Sequence, residues 1–268
     1  MLYLFAGRQR RGDMGYFLHK LFKAKDIEVN MVEVDVLRGG RRHNLLQKSS
    51  RTKFMKEVEA KHFDVVLASP PCSTFSRARC TGDLGPRPLR SSKFQRGFPW
   101  LSCTARVTVD EASSLVDFTA AVLRAQMSQG GVGLLEHPED LGQVRQKDGT
   151  AQCPASIWRW PQIRSLLTLP QVTWGALYQQ DFGFEYKKPT RLLTNVPEAD
   201  EFMNLGDPEF SADGFYTGPL PARAQTGVKL HGKGTEGFRT SASAAWPSAL
   251  CNKLSELIVQ FIAIRGPQ

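Results

Sequence analysis

From Phe63 to Ser76 the chain reads Phe-Asp-Val-Val-Leu-Ala-Ser-Pro-Pro-Cys-Ser-Thr-Phe-Ser. A short apolar run bounded by turn residues predicts a buried strand over Phe63–Ala68, and Pro70-Pro71 ends it. The two prolines fix the backbone and remove two amide donors. Cys72 therefore follows a buried strand on a stiff turn. In an α/β sheet, ligands gather at the carboxyl ends of the strands. A cysteine held there acts as a nucleophile when its thiolate is favoured, and is otherwise an ordinary packed thiol. A phosphatase-type loop, Cys followed by Arg after five residues, is excluded because Ala78 stands at that position.

The rest of the chain alternates between strand-like and helix-like segments. Leu2–Leu4, Ile27–Val36, Val132–Glu136, Gln171–Tyr178 and part of Phe182–Asn195 read as strands. Gly15–Lys23, Thr52–Ala60, Asp110–Gln129, Ser156–Leu166 and Ser248–Ile264 carry apolar residues at helical spacing. Asp110 is placed to cap its helix. Residues 77–106 form a long polar connection with three prolines, and residues 196–240 are Gly- and Pro-rich with weak periodicity. The expectation is an α/β fold with a mostly parallel sheet and helices on both faces.

Charge is unevenly spread. Residues 1–100 hold 20 Lys and Arg against 9 Asp and Glu, while the remainder holds 15 against 17. Between Arg77 and Arg106 there are seven basic residues and one acid, Asp83. Arg77, Arg79, Arg87, Arg90, Lys93 and Arg96 are the candidate contacts to a polyanion; a solvated basic loop is the blander reading. The five cysteines are irregularly spaced with no Cys-x-x-Cys pair, which supports neither a disulfide framework nor a zinc site. An intracellular, reducing compartment is expected. No run is long and apolar enough to span a bilayer.

Four further features sit where chemistry collects. Gly7 ends the first strand, in Phe5-Ala6-Gly7, and lets a backbone approach a ligand or simply turn. Glu33 and Asp35 close the second strand at the spacing of a ribose-binding acid. Glu136 leaves a buried strand just before His137-Pro138 and would serve as a general acid if it met Cys72. Lys188 and Arg191 flank Pro189 at the start of a strand, as phosphate or active-site cations or as a solvated pair.

Taken in order, these motifs resemble the cytosine-5 methyltransferases. Phe-x-Gly, an acid, Pro-Pro-Cys-Ser-Thr-Phe-Ser, Leu-Glu-His-Pro and a later basic strand span about residues 1–195, with an echo at 238–251. The resemblance implies a Rossmann-like methyltransferase fold: a catalytic core over 1–195, a small target-recognition segment over 196–240, and a C-terminal helix over 241–268 packing back on the core. It implies S-adenosylmethionine as cofactor, held by Phe5, Gly7, Glu33 or Asp35, and Pro70. Cys72 would attack C6 of a flipped-out cytosine, Glu136 would hold N3, and Lys188 and Arg191 would support them. DNA is the implied substrate of a monomeric enzyme, with RNA as an alternative. A catalytically silent nucleic-acid-binding module of the same fold is the other. Three departures stand out: Arg8-Gln9-Arg10-Arg11 replaces a glycine-rich turn, His137 replaces the usual Asn, and no Gln-x-Arg-x-Arg run occurs.

Overall fold

The structure, a computed structural model, describes residues 1–80, 86–146, 149–223, 233–234, 237–238 and 245–265. At its centre is a seven-stranded mixed sheet. In chain order the strands are β1 (Leu2–Leu4), β2 (Val32–Val34), β3 (Val65–Ala68), β4 (Val132–Pro138), β5 (Thr173–Tyr178), β6 (Pro189–Thr194) and β7 (Asn204–Leu205). They lie side by side as β2-β1-β3-β4-β6-β5-β7. The first four run parallel, β6 is antiparallel to β4, and β5 is antiparallel to β6. β5 thus points the same way as β4.

From β1 the chain moves outward to β2, then returns to place β3 on the other side of β1. That reversal opens a crevice at the carboxyl ends of β1 and β3, the position where open α/β sheets bind ligands. Every residue of β3 is buried, as expected of a central parallel strand covered on both faces.

Helices α1 (Met14–Lys23) and α4 (Ser248–Arg265) cover one face. Leu250, Leu254 and Ile258 pack there with Met14, Leu18 and Phe22. The other face carries α2 (Lys48–Glu59) and α3 (Cys103–Ser128), through Phe54, Val58, Val116 and Leu123. Among the described residues, no helix is long and apolar enough to cross a membrane.

Three expectations change. The second strand is only Val32–Val34, because it is a sheet edge. Ile27, Val29 and Met31 still pack on the core without joining the ladder. Helix α3 starts at Cys103, capped by the Ser102 hydroxyl accepting from Ala105 N at 3.4 Å, so Asp110 lies inside the helix. Ser156–Leu166 is not one helix but short turns, with only Pro161–Arg164 α-helical. Within 196–240, Asn204–Leu205 joins the main sheet and Glu209–Phe210 pairs with Tyr216–Gly218 as a small hairpin. Much of the 238–251 echo, residues 239–244, lies outside the described residues.

Candidate active site

β3 delivers Ser69-Pro70-Pro71-Cys72 at the crevice, with Pro70 buried. The Phe75 amide donates to the Cys72 carbonyl at 2.9 Å, closing a turn that buries Phe75. Arg79 Nε donates to the Ser73 carbonyl at 2.7 Å, and Arg90 Nε to Thr74 Oγ1 at 3.1 Å. Cys72 is an exposed residue, and the turn that follows it is braced by these bonds.

The Cys72 thiol is pushed above its ordinary value, first by desolvation and then by the charge of Glu136; Lys188 acts in the opposite sense. Glu136 sits in β4, 6% exposed. Desolvation raises its carboxyl, and Lys188, Trp246 and Ser69 oppose that rise. Cys72, Glu136 and Lys188 thus form one electrostatic cluster drawn from three separate elements. Lys188 holds a left-handed backbone, φ 38°, immediately before β6, and its ammonium lies 5.7 Å from the Phe184 ring centroid.

Arg191 does not join this cluster. In the β4–β6 register it pairs with His137, while Glu136 pairs with Leu192. Side chains alternate along a strand, so Arg191 and Glu136 leave opposite faces of the sheet. Arg191 is fully buried and donates to both oxygens of Glu139, at 2.7 and 3.0 Å. It is a core ion pair, and its expected place beside Cys72 is corrected.

The turn after β1 is strained. Phe5 holds φ 62° and Gly7 holds φ 66°. The Asp35 carboxylate ties this turn to the end of β2: Oδ2 accepts from Gly7 N at 3.0 Å and Oδ1 from Leu37 N at 2.8 Å. Both of its oxygens are engaged, so Asp35 is a structural tie. Glu33 differs. One oxygen pairs with Arg38 Nη1, and Oε1 is buried without a hydrogen-bond partner. Arg38 also donates from Nε to the Gly7 carbonyl at 2.6 Å, and its Nη2 makes no hydrogen bond but faces the Asp13 carboxylate at 3.6 Å. Desolvation raises the Glu33 carboxyl, with Arg38 opposing. No atom lies within 4 Å of where a Gly7 side chain would stand. A cavity of about 720 Å³ opens beside Glu33 and the start of α1, rimmed by Arg10, Arg11, His19 and Lys20.

The basic candidates separate into two groups. Arg77 donates to the carbonyls of Leu141, Gly142 and Gln143 at 2.8 to 3.0 Å, pinning the chain beyond β4. Arg90 is 2% exposed, lies 4.1 Å from the Phe75 ring centroid and reaches Ser113 and Val109. Burial pushes its guanidinium down to about 10, so it stays cationic at neutral pH. Arg77 and Arg90 are therefore scaffold, as is Arg79 through its carbonyl contacts. Their expected role as polyanion contacts is corrected. Arg96 grips Asp117 through two bonds and covers the Trp160 ring. Arg87 and Lys93 are exposed.

Sequence reasoning missed Ser69 and Trp246 as surroundings of Glu136, and Arg38 as the cation at Glu33. Ser69 was visible as the residue leaving β3. Trp246 stands only within the 238–251 echo, and Arg38 carries no local signal, since only the fold brings it in. No protein-family model matches the chain, and no curated protein matches it.

Proposed function

We propose that this chain is an S-adenosylmethionine-dependent cytosine-5 methyltransferase with a Rossmann-like fold, acting on DNA. The observation that carries this reading is the convergence of Cys72, Glu136 and Lys188 at the crevice beyond β1 and β3. Three elements separated in sequence meet where such a sheet binds its ligand.

The residues beyond β1 and β2 suit the cofactor. Glu33 Oε1 and Arg38 Nη2 offer a buried acceptor and donor without hydrogen-bond partners beside an open Gly7 turn. Vicinal ribose hydroxyls would satisfy both groups. Val36 and Leu37, 54% and 62% exposed, offer an apolar surface next to them. S-adenosylmethionine, when bound, supplies the electrophilic methyl group.

The chain's own groups would act on the pyrimidine. A target base must leave its stack to reach Cys72, because C5 and C6 are shielded inside a duplex. Cys72 loses its proton to water as its sulfur bonds C6. Glu136, whose carboxyl is raised by burial so that its protonated form is favoured, would give a proton to N3, and the ring electrons gather at C5. After C5 has gained the methyl group, its proton passes to water, the sulfur leaves C6, and N3 returns the proton to Glu136. Lys188 favours the thiolate that begins this sequence. Transfer of label from S-adenosylmethionine to cytosine C5, abolished in Cys72→Ala, tests the reading.

One observation favours a second reading. The resting thiol is raised rather than lowered, as in an unreactive cysteine. A silent nucleic-acid-binding module would bind nucleic acid and transfer no label.

A further inference from the structure

Tryptophan is seldom left in water without a reason. Trp100 is 69% exposed, the most open aromatic side chain among the described residues of the core. It is also held in place. Its ring stacks on Phe98 at 5.0 Å with an interplanar angle of 11°, and Phe94 meets both rings edge-on at 5.4 and 5.7 Å.

The backbone beneath these rings is fixed. Phe98 N donates to the Leu89 carbonyl at 3.0 Å, and Arg106 donates to the carbonyls of Phe98 and Arg96. Gly97 turns the chain at φ 98°, where a side chain would strike Val109 at 2.7 Å. Arg90 links the segment to the catalytic turn, donating to the Gln95 carbonyl at 2.9 Å and to Thr74 at 3.1 Å. The rings thus stand on the same end of the sheet as Cys72, on a loop tied rigidly to it.

Charge selects the occupant. Of the five Lys and Arg in residues 86–106, Arg90 is buried, Arg96 is paired with Asp117 and Arg106 is tied to carbonyls. That leaves the exposed cations Arg87 and Lys93, with no Asp or Glu in the segment. Exposed Lys93 places its ammonium 5.6 Å from the Phe94 centroid. Of the three rings Trp100 alone is exposed, backed by half-buried Phe98 and Phe94. An exposed flat ring beside a cation is how proteins hold single-stranded nucleic acid: a base stacks on the ring while a phosphate meets the cation. An acidic protein partner would meet the cations but would leave the exposed Trp100 ring without a matching flat group.

We infer that Trp100, backed by Phe98 and Phe94 and flanked by Lys93, forms a stacking platform for an unpaired nucleobase on the loop tied to the Cys72 turn. This rests on the proposed reading that the substrate is nucleic acid. The platform would receive the strand next to the base being extruded, so the protein should prefer single-stranded or locally opened substrate to closed duplex.

The test uses the full chain and a short fluorescein-labelled single-stranded oligonucleotide, read by anisotropy. Trp100→Ala should weaken binding about tenfold, while Trp100→Phe should retain most of it. Lys93→Glu should weaken binding and flatten its salt dependence. Closed duplex should respond less to Trp100→Ala than the single strand does. Thermal unfolding should shift little in Trp100→Ala, which loses only the ring's contacts with Phe98 and Phe94. Equal single-strand affinities for wild type and Trp100→Ala would overturn the platform. So would a wild-type dimer that Trp100→Ala dissociates, which assigns the face to a second copy. Label transfer scored on the same samples separates the two claims. Transfer without Trp100-dependent binding overturns the platform alone. Trp100-dependent binding without transfer removes the methyltransferase reading and leaves the platform standing.

Discussion

Lys188 is the residue on which the site's electrostatics turn. It opposes the upward push on both Cys72 and Glu136. Removing its charge leaves desolvation less opposed, so both groups rise further. On the proposed mechanism, the Cys72 thiolate then appears only at higher pH. In Lys188→Met, the alkaline-rising limb of the pH–rate profile should move to higher pH, and Lys188→Arg should restore it. An unmoved limb would separate Lys188 from Cys72. The candidate residues themselves were legible because Pro-Cys and Glu-x-Pro carry their meaning in one short run. Arg77 and Arg90 were not, because a basic run looks the same whether its side chains meet water or fold back onto carbonyls. Only the tertiary path beyond β4 and α3 distinguishes the two fates. Asp35 and Glu33 show the same limit: identical chemistry two residues apart, one spent on backbone amides and the other left with an open oxygen.

At the scale of elements, β6 and the residue before it hold two unlike cations with different fates. Lys188 precedes the strand at the crevice. Arg191 lies within it, paired with Glu139 where neither side chain touches solvent. Breaking such a pair leaves a buried charge uncompensated and typically costs about 3–5 kcal/mol. Arg191→Met should therefore lower stability by about that much in urea unfolding, while Glu139→Gln combined with Arg191→Met should recover part of it. A loss near zero would contradict the buried pair. Element boundaries were read well where periodicity and burial agree, as in α1, β3 and α4. They failed where packing overrules local preference. Residues 103–109 are rich in β-branched side chains and look like loop, yet Ser102 caps them and Val109, Ala112 and Val116 anchor the helix on the sheet. The second strand erred the other way. Alternation records which side chains are buried, but not whether a neighbouring strand is there to pair with.

For the whole molecule, the strand order creates the site. Because β1 sends the chain to one side and β3 lies on the other, the turns after both strands meet at one crevice, and β4 brings Glu136 alongside. The pattern of strands and helices made the α/β class legible, but not the order that reverses at β1. His137 ties this architecture to pH. It is 1% exposed, with Phe75 at 5.4 Å and Trp158 at 6.3 Å, and burial pushes its imidazole down to about 3. Between that value and the ordinary one, the unfolded chain takes up a proton that the folded chain refuses. Stability from this group is complete above the ordinary histidine range and falls as pH drops through it, by up to about 1.4 kcal/mol per pH unit. His137→Phe, itself tolerated only if the ring fits, or His137→Gln should flatten the acid limb of the stability curve. A curve as steep as wild type in both would contradict a neutral buried imidazole.

The most direct measurement incubates the protein with methyl-labelled S-adenosylmethionine and, separately, duplex DNA, single-stranded DNA and tRNA, with Cys72→Ala alongside. Label on C5 of cytosine in DNA, absent with the variant, is the expected result. Label confined to tRNA would keep the chemistry and change the substrate. Label that persists in Cys72→Ala would contradict the nucleophile, and no label on any substrate despite retained nucleic-acid binding would contradict the enzyme.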